Sequence, residues 1–126
     1  MEAKFDAGKL ELDLVPAQIV RDVAEVRMYG NKKYGDPENW RTVELRRYVN
    51  ALLRHTLAFV EDYASRDEES GIEHYKHMAC NIAFICEMMR EHMRELEYAT
   101  LMREMSEKAA NVATTATTAT SAYNLH

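Results

Sequence analysis

The densest chemistry in the chain lies in GIEHYKHMACN, residues 71–81, where His74, His77 and Asn81 follow at offsets of three and four. On an α-helix those offsets fall on one face. Imidazole is a frequent metal ligand, so the face suits a metal ion or a polar ligand. Two histidines three apart also occur as a hydrogen-bonded pair beside a helical core, and the spacing alone favours that plainer reading. Upstream stand five carboxylates, Glu61, Asp62, Asp67, Glu68 and Glu69. If the helices carrying Glu61 and His74 fold back on each other, Glu61 meets His74 and His77. Mixed carboxylate and imidazole donors suit Mn²⁺ better than Mg²⁺, and either can bind. Within SRDEESG, residues 65–71, Asp67 and Glu68 read as a solvated turn, whereas Glu61 shares a face with small residues.

The cations come next. Arg54 is either half of a two-turn ion pair with Glu61 or a phosphate contact, because guanidinium matches phosphate oxygens bidentately. His55, beside it, points to a different face. GNKKYGDPENW, residues 30–40, holds two of the four glycines and one of the two prolines, and reads as a loop carrying Lys32, Lys33, Tyr34 and Trp40. Loops of this kind carry function more often than helices do, although each cation taken singly is ordinary surface charge. Glu25 lies four residues before Tyr29 and faces either the helix pair or solvent. There is no Gly-rich phosphate loop, and neither Cys80 nor Cys86 sits in a basic setting that would activate it.

Helices must position these groups. Pro16 suits a first helical turn, and Ile19, Val23 and Val26 continue at helical spacing, so a first helix is predicted over residues 16–29 with Gly30 as its stop. A second is predicted over residues 42–64 with Thr42 as its cap. One of its faces carries Tyr48, Leu52, His55, Phe59 and Asp62. The neighbouring face carries Arg47, Ala51, Arg54, Ala58 and Glu61, and its small residues leave room for a ligand. Ser70 followed by Glu73 fits a capping box, so a third, long helix is predicted from about Gly71 to Lys108, with a break near Arg94. Residues 1–15 read as a short extended arm, from the alternation of Leu10, Leu12 and Leu14. Residues 109–126 read as a low-complexity, disordered tail. No strand-rich region exists, and the class is all-α.

The 126 residues make one domain the default. A net charge of −5 argues mildly against a nucleic-acid partner. It does not argue against a nucleotide held by a few cations or through an ion. The N-terminus MEAKFDAGK has no apolar signal region, no run is long enough to span a bilayer, and two cysteines six apart in one helix cannot pair, which together point to a reducing cytoplasm.

In order along the chain stand GKLELDLVP, AEVRMYGNKKYGDPENW, YVNALLRHTLAFVED and DEESGIEHYKHMACNIAFI. Together they resemble the phage-type dATP/dGTP diphosphohydrolase N-terminal domain family, related to the MazG-like all-α nucleotide pyrophosphatases. The resemblance covers about residues 8–90, through G-K-x-x-x-D-L-x-P, Y-G-x-K-K-Y-G, the tryptophan, A-L-L-R-H, E-S-G and H-x-x-H-x-x-x-N. It implies a MazG-like helical core around an antiparallel helix hairpin, assembled as a homodimer or homotetramer. It also implies hydrolysis of a purine deoxynucleoside triphosphate to monophosphate and pyrophosphate, with Mg²⁺ or Mn²⁺, in phage nucleotide-pool remodelling. MazG-like enzymes carry Glu-x-x-Glu and Glu-x-x-Asp. Here the matching segments are Ala58-Phe59-Val60-Glu61 and His74-Tyr75-Lys76-His77, and Glu61 alone keeps a carboxylate. The expected site then has Glu61 and Glu25 as catalytic groups and Glu61, His74, His77 and Glu69 around the metal. Lys32, Lys33, Tyr34, Trp40, Arg54, His55 and Asn81 would hold the nucleotide. Two rival readings are a protein that sequesters a nucleotide on the same scaffold without cleaving it, and a purely structural helical oligomer.

Overall fold

The computed structural model describes residues 5–124, with side chains through Thr118. Among the described residues the regular structure is helical and no strand forms, so the all-α expectation holds. The elements are α1 (Gln18–Tyr34), α2 (Leu45–Glu61) and α3 (His74–Asn124), with short 3-10 turns at Leu12–Leu14 and Asn39–Thr42. The chain divides into two compact units, Met1–Cys86 and Glu87–His126.

The helix boundaries depart from the sequence reading in instructive ways. α1 runs through Gly30 and stops at Gly35, whose φ of +76° and N–H bond to the Asn31 carbonyl (2.7 Å) make the left-handed cap. Gly35 followed by Pro37 is the stronger stop, because glycine takes the left-handed conformation freely and proline cannot continue the helix. Lys32, Lys33 and Tyr34 therefore sit on the last turn of a helix and not on a loop. Thr42 caps no helix. Its hydroxyl closes the Asn39–Thr42 turn onto the Asn39 carbonyl at 2.8 Å, and α2 starts at Leu45 without a side-chain cap. α2 also ends sooner than predicted, at Glu61, and α3 starts later, at His74.

The expected extended arm is instead turned. Lys9 N–H bonds the Asp6 carbonyl at 3.0 Å, and Leu12–Leu14 make one 3-10 turn. Its alternating leucines have no strand to pair with and are 85, 73 and 75% exposed at Leu10, Leu12 and Leu14. Residues 1–4 of that arm and 125–126 of the tail lie outside the described residues. α3 shows no break at Arg94 and no end at Lys108. The segment after Lys108 is rich in alanine, the best helix former, and holds neither glycine nor proline before Asn124. The Thr117 hydroxyl donates back to the Ala113 carbonyl at 3.0 Å, within the helix.

Within the first unit, α2 and the start of α3 pass each other in opposite directions. Tyr48 meets Phe84, His55 meets His74 and His77, and Phe59 meets Tyr75. The buried core draws one residue from each of three segments: Val26 of α1, Ile72 of the connection and Cys80 of α3, with Val23, Tyr29 and Phe84 packed around them. An ion-pair chain fastens α1 to α3. Lys76 Nζ lies 2.8 Å from Glu25 and 2.7 Å from Glu73, and Arg66 reaches Glu73 at 2.9 Å. α2 buries no residue fully, and Val49, Leu53, Leu57 and Val60 form an apolar stripe 38–66% exposed along it.

Candidate functional site

A cavity of about 480 Å³ opens between α1, the Asn39–Thr42 turn, α2 and the first turns of α3. Four cations line it, Arg27, Lys33, Arg47 and Arg54, against one carboxylate, Asp36, in a chain of net charge −5. Two of the four are committed. Arg27 donates to the Pro37 carbonyl and lies over the Phe84 ring at 5.2 Å, and Lys33 pairs with Glu69. That pairing, working against burial, pushes the Lys33 ammonium up to about 12. Arg47 and Arg54 also line the cavity and enter no ion pair or side-chain hydrogen bond among the described residues.

One wall is aromatic. Trp40 stacks on Phe84 with ring centres 4.7 Å apart and planes 17° from parallel, and the Tyr48 hydroxyl donates to the Trp40 carbonyl at 2.7 Å. Burial raises the Tyr48 phenol above its usual range, which keeps it protonated and donating. Asn81, 8% exposed, donates Nδ2 to the His77 carbonyl at 3.0 Å, the usual back-bond to the preceding turn. Its Oδ1 remains as an acceptor on the cavity wall.

Beside this wall stands a histidine cluster. The His55 and His74 Nδ1 atoms are 2.8 Å apart, and the His55 ring lies parallel to His77 at 4.6 Å with 8° between planes. The His77 Nε2 meets the Ser70 hydroxyl at 2.7 Å. Burial, followed by the neighbouring His77 and His74, lowers the His55 imidazole to about 4, and burial likewise lowers His77. Both rings are therefore neutral at pH 7. Burial pushes the Asp67 carboxyl up, but the bonds from Ser70 outweigh it and hold Asp67 below its usual range, ionised. One donor atom each from His55, Asp67 and His74 fall within 4.8 Å of one another, and all three residues are half-buried.

The local backbone explains this convergence. Asp67 N–H bonds the Ile72 carbonyl at 2.9 Å, Gly71 N–H bonds the Asp67 carbonyl at 2.8 Å, and His74 N–H bonds the Ser65 carbonyl at 3.0 Å. Gly71, at φ +71°, makes that fold-back possible. Ser70 does not form the predicted capping box. Its hydroxyl accepts the Ile72 N–H at 3.1 Å and reaches His77 instead.

Of the residues singled out in the sequence, Lys33, Tyr34, Trp40, Arg54, His55, His77 and Asn81 line the cavity. His74 touches His55 from outside it. Lys32 does not reach it. Glu61 is the exposed last residue of α2, outside both the cavity and the histidine cluster. Glu25 is taken by Lys76 and Glu69 by Lys33, so neither joins His55, Asp67 and His74. The sequence reading missed Arg27 and Asp36, treated Arg47 only as part of a face, and set Asp67 aside as a solvated turn. The signal for Asp67 was its place three residues before Ser70, where its carboxylate accepts the Ser70 N–H at 2.9 Å and closes the turn.

Comparison with known proteins bears on this site. No solved structure matches the chain. A protein of Salmonella phage PMBT28 named dATP/dGTP diphosphohydrolase is 37% identical over 82 residues, 65% of this chain and 28% of that relative. The chain thus corresponds to little more than a quarter of the relative's length. The family model described as dATP/dGTP diphosphohydrolase, N-terminal, matches residues 1–97, which contain every cavity and cluster residue named above. The chain belongs to the dATP/dGTP diphosphohydrolase N-terminal family.

Proposed function

We propose that the cavity binds a purine deoxynucleoside triphosphate of the dATP/dGTP type and that the protein hydrolyses it to monophosphate and pyrophosphate. The observation that carries this reading is the pair Arg47 and Arg54, two guanidinium groups with no ion pair among the described residues, on a cavity of about 480 Å³ in an acidic chain. Forked cations of this kind match phosphate oxygens in two directions at once. The polyphosphate lies along α2, and the base reaches the Trp40–Phe84 wall, where the Asn81 Oδ1 accepts from a ring or exocyclic N–H. A relative named for dATP and dGTP agrees with such a purine pocket.

Hydrolysis is metal-assisted in this reading. The donors that fit an ion are His55, Asp67 and His74, two imidazoles and an ionised carboxylate within 4.8 Å. When bound, a divalent ion there neutralises phosphate charge and lowers the pKa of a bound water. The chain's own residues bind and orient: Arg47 and Arg54 hold the phosphates, and Ser70 fixes His77 beside His55.

A homodimer or homotetramer is part of the proposal. Val26, Ile72 and Cys80 are the only buried apolar residues among those described, whereas a domain of this size hides a far larger core. The stripe Val49, Leu53, Leu57 and Val60 is the surface that a second copy would cover. A MazG-like hairpin of α2 and α3, a role in phage nucleotide-pool remodelling in a bacterial cytoplasm, and no nucleic-acid partner complete the reading. No helix among the described residues is long and apolar enough to cross a membrane.

A thermal-shift series with dATP, dGTP, ATP and GTP tests the pocket, since a ligand of the native state must raise stability. The expected result is a rise with purine triphosphates that Arg54→Ala diminishes. No shift with any nucleotide would favour a structural oligomer. One observation supports a second reading, a protein that sequesters the nucleotide uncleaved: Asp36 is the sole carboxylate among the described residues of the cavity wall, so the pocket itself supplies few groups for activating water. Stable retention of intact triphosphate in the presence of divalent ions would decide for it.

A further inference from the structure

We propose that His55, Asp67 and His74 form a centre for a first-row transition dication, of the Co²⁺, Zn²⁺ or Mn²⁺ kind, in preference to Mg²⁺. The three donors come from three segments: the middle of α2, the connection after it and the first residue of α3. The two Nδ1 atoms stand 2.8 Å apart and point at each other. Without an ion, one ring must spend a proton to bridge that gap. A dication bound by both rings lies off the line between the two nitrogens, at about 2.0–2.1 Å from each, takes a lone pair from each ring once that proton leaves, and meets the negative charge of Asp67. Two imidazoles and one carboxylate are the donor set of borderline ions, whereas Mg²⁺ demands near-ideal octahedral oxygen ligation and keeps its waters. Three protein donors also leave coordination positions open for water or a phosphate oxygen. His55 lines the cavity, so the centre borders the space assigned to the triphosphate.

The surroundings hold each donor in place, as ligand-orienting groups do. Asp67 accepts the Ser70 N–H at 2.9 Å through one oxygen, which leaves the other for an ion. The backbone bonds Asp67–Ile72 and Ser65–His74 close the connection onto itself. His55 is backed by the parallel His77 ring, and Ser70 fixes His77 in turn. One serine thus orients both a ligand carboxylate and the ring behind a ligand histidine. Glu61 and Glu69, which the sequence suggested as ligands, do not belong to this group of donors, and Glu69 pairs with Lys33.

The centre's use rests on the hydrolase reading, but its test needs no nucleotide. Metal-stripped full chain is titrated with Co²⁺ alone and followed by visible absorption. The expected result is d–d bands that saturate at about one equivalent, vanish on adding Zn²⁺ and survive a large excess of Mg²⁺. His74→Ala and the conservative Asp67→Asn should weaken Co²⁺ binding more than ten-fold while far-UV circular dichroism keeps its helical signal. Glu61→Gln should bind as the parent does. Absent bands, displacement by equimolar Mg²⁺, or unchanged binding in folded His74→Ala and Asp67→Asn would overturn the centre. Turnover with Mg²⁺ in a protein that binds no Co²⁺ would remove the centre and leave the hydrolase standing. Intact Co²⁺ binding without turnover would do the reverse.

Discussion

Replacing Arg54 by alanine isolates the contact on which the phosphate assignment depends. Arg54 lines the cavity from α2, is exposed, and makes no ion pair or side-chain hydrogen bond among the described residues. Its removal therefore leaves no partner stranded, and unfolding stability should stay within about 0.5 kcal/mol of the parent. The catalytic effect is set by what the guanidinium does to bound phosphate. Of the four cavity cations, Arg27 and Lys33 are already engaged, so Arg54 is one of two that can turn fully to the substrate. A hydrogen bond to a charged group contributes about 1.5–3 kcal/mol, which converts to a fall of about 10- to 150-fold in kcat/KM. Arg54→Lys should fall between parent and alanine, because a point charge replaces a fork. Arg46→Ala, exposed on the same helix but off the cavity, serves as the control and should leave kcat/KM unchanged. Steady-state kinetics with dATP and dGTP read all four proteins. An Arg54→Ala protein indistinguishable from Arg46→Ala would refute the placement of the phosphates along α2.

Gly35→Ala should cost about 1 kcal/mol in urea unfolding, since φ +76° disfavours any side chain and the added methyl meets nothing within 4 Å; an unchanged midpoint would mean that α1 ends elsewhere. Tyr48→Phe deletes the hydroxyl on the Trp40 carbonyl, so stability should fall by about 1 kcal/mol and the fluorescence of the single tryptophan should shift to the red. An unshifted spectrum would show that Trp40 is held without Tyr48. Burial puts the Cys80 thiol at about 11, and the residue is 3% exposed, while Cys86 is exposed. At pH 8 roughly one Cys80 thiol in a thousand is ionised, so native protein should alkylate at Cys86 first and at Cys80 only as the pH approaches 11 or on unfolding. Equal rates at pH 8, read by peptide mass, would contradict the buried core position.

The helical class was legible because apolar spacing along Ile19, Val23 and Val26 and the lack of alternating runs are strong signals. The ends of the helices were less so. Gly30 and Gly35 carry the same residue type, and only the backbone bond from Gly35 to Asn31 and the nearby Pro37 decide which one ends α1. Half of the site could be read as faces: His77 and Asn81 on α3, and Ala51 and Arg54 on α2, do line one cavity. The remainder depends on contacts that no single helix encodes. Glu61 shares a face of α2 with Arg54 but lies about two turns further along it, at the exposed end of the helix. Asp67 looks like any carboxylate in a polar turn until residues 65–74 fold back and carry it to His55 and His74. Glu25 and Glu69 are acids of the right kind, and lysines on neighbouring segments had already claimed them.

The reaction proposed for this cavity is cleavage of a purine triphosphate between its first and second phosphates. It is tested most directly by resolving products on ion exchange after incubation with dATP or dGTP and, in turn, Mg²⁺, Mn²⁺ and Co²⁺. The account predicts monophosphate and pyrophosphate in equal amounts, abolished by EDTA and reduced in Arg54→Ala. Diphosphate with inorganic phosphate, or intact triphosphate recovered from the protein under every ion, would contradict it.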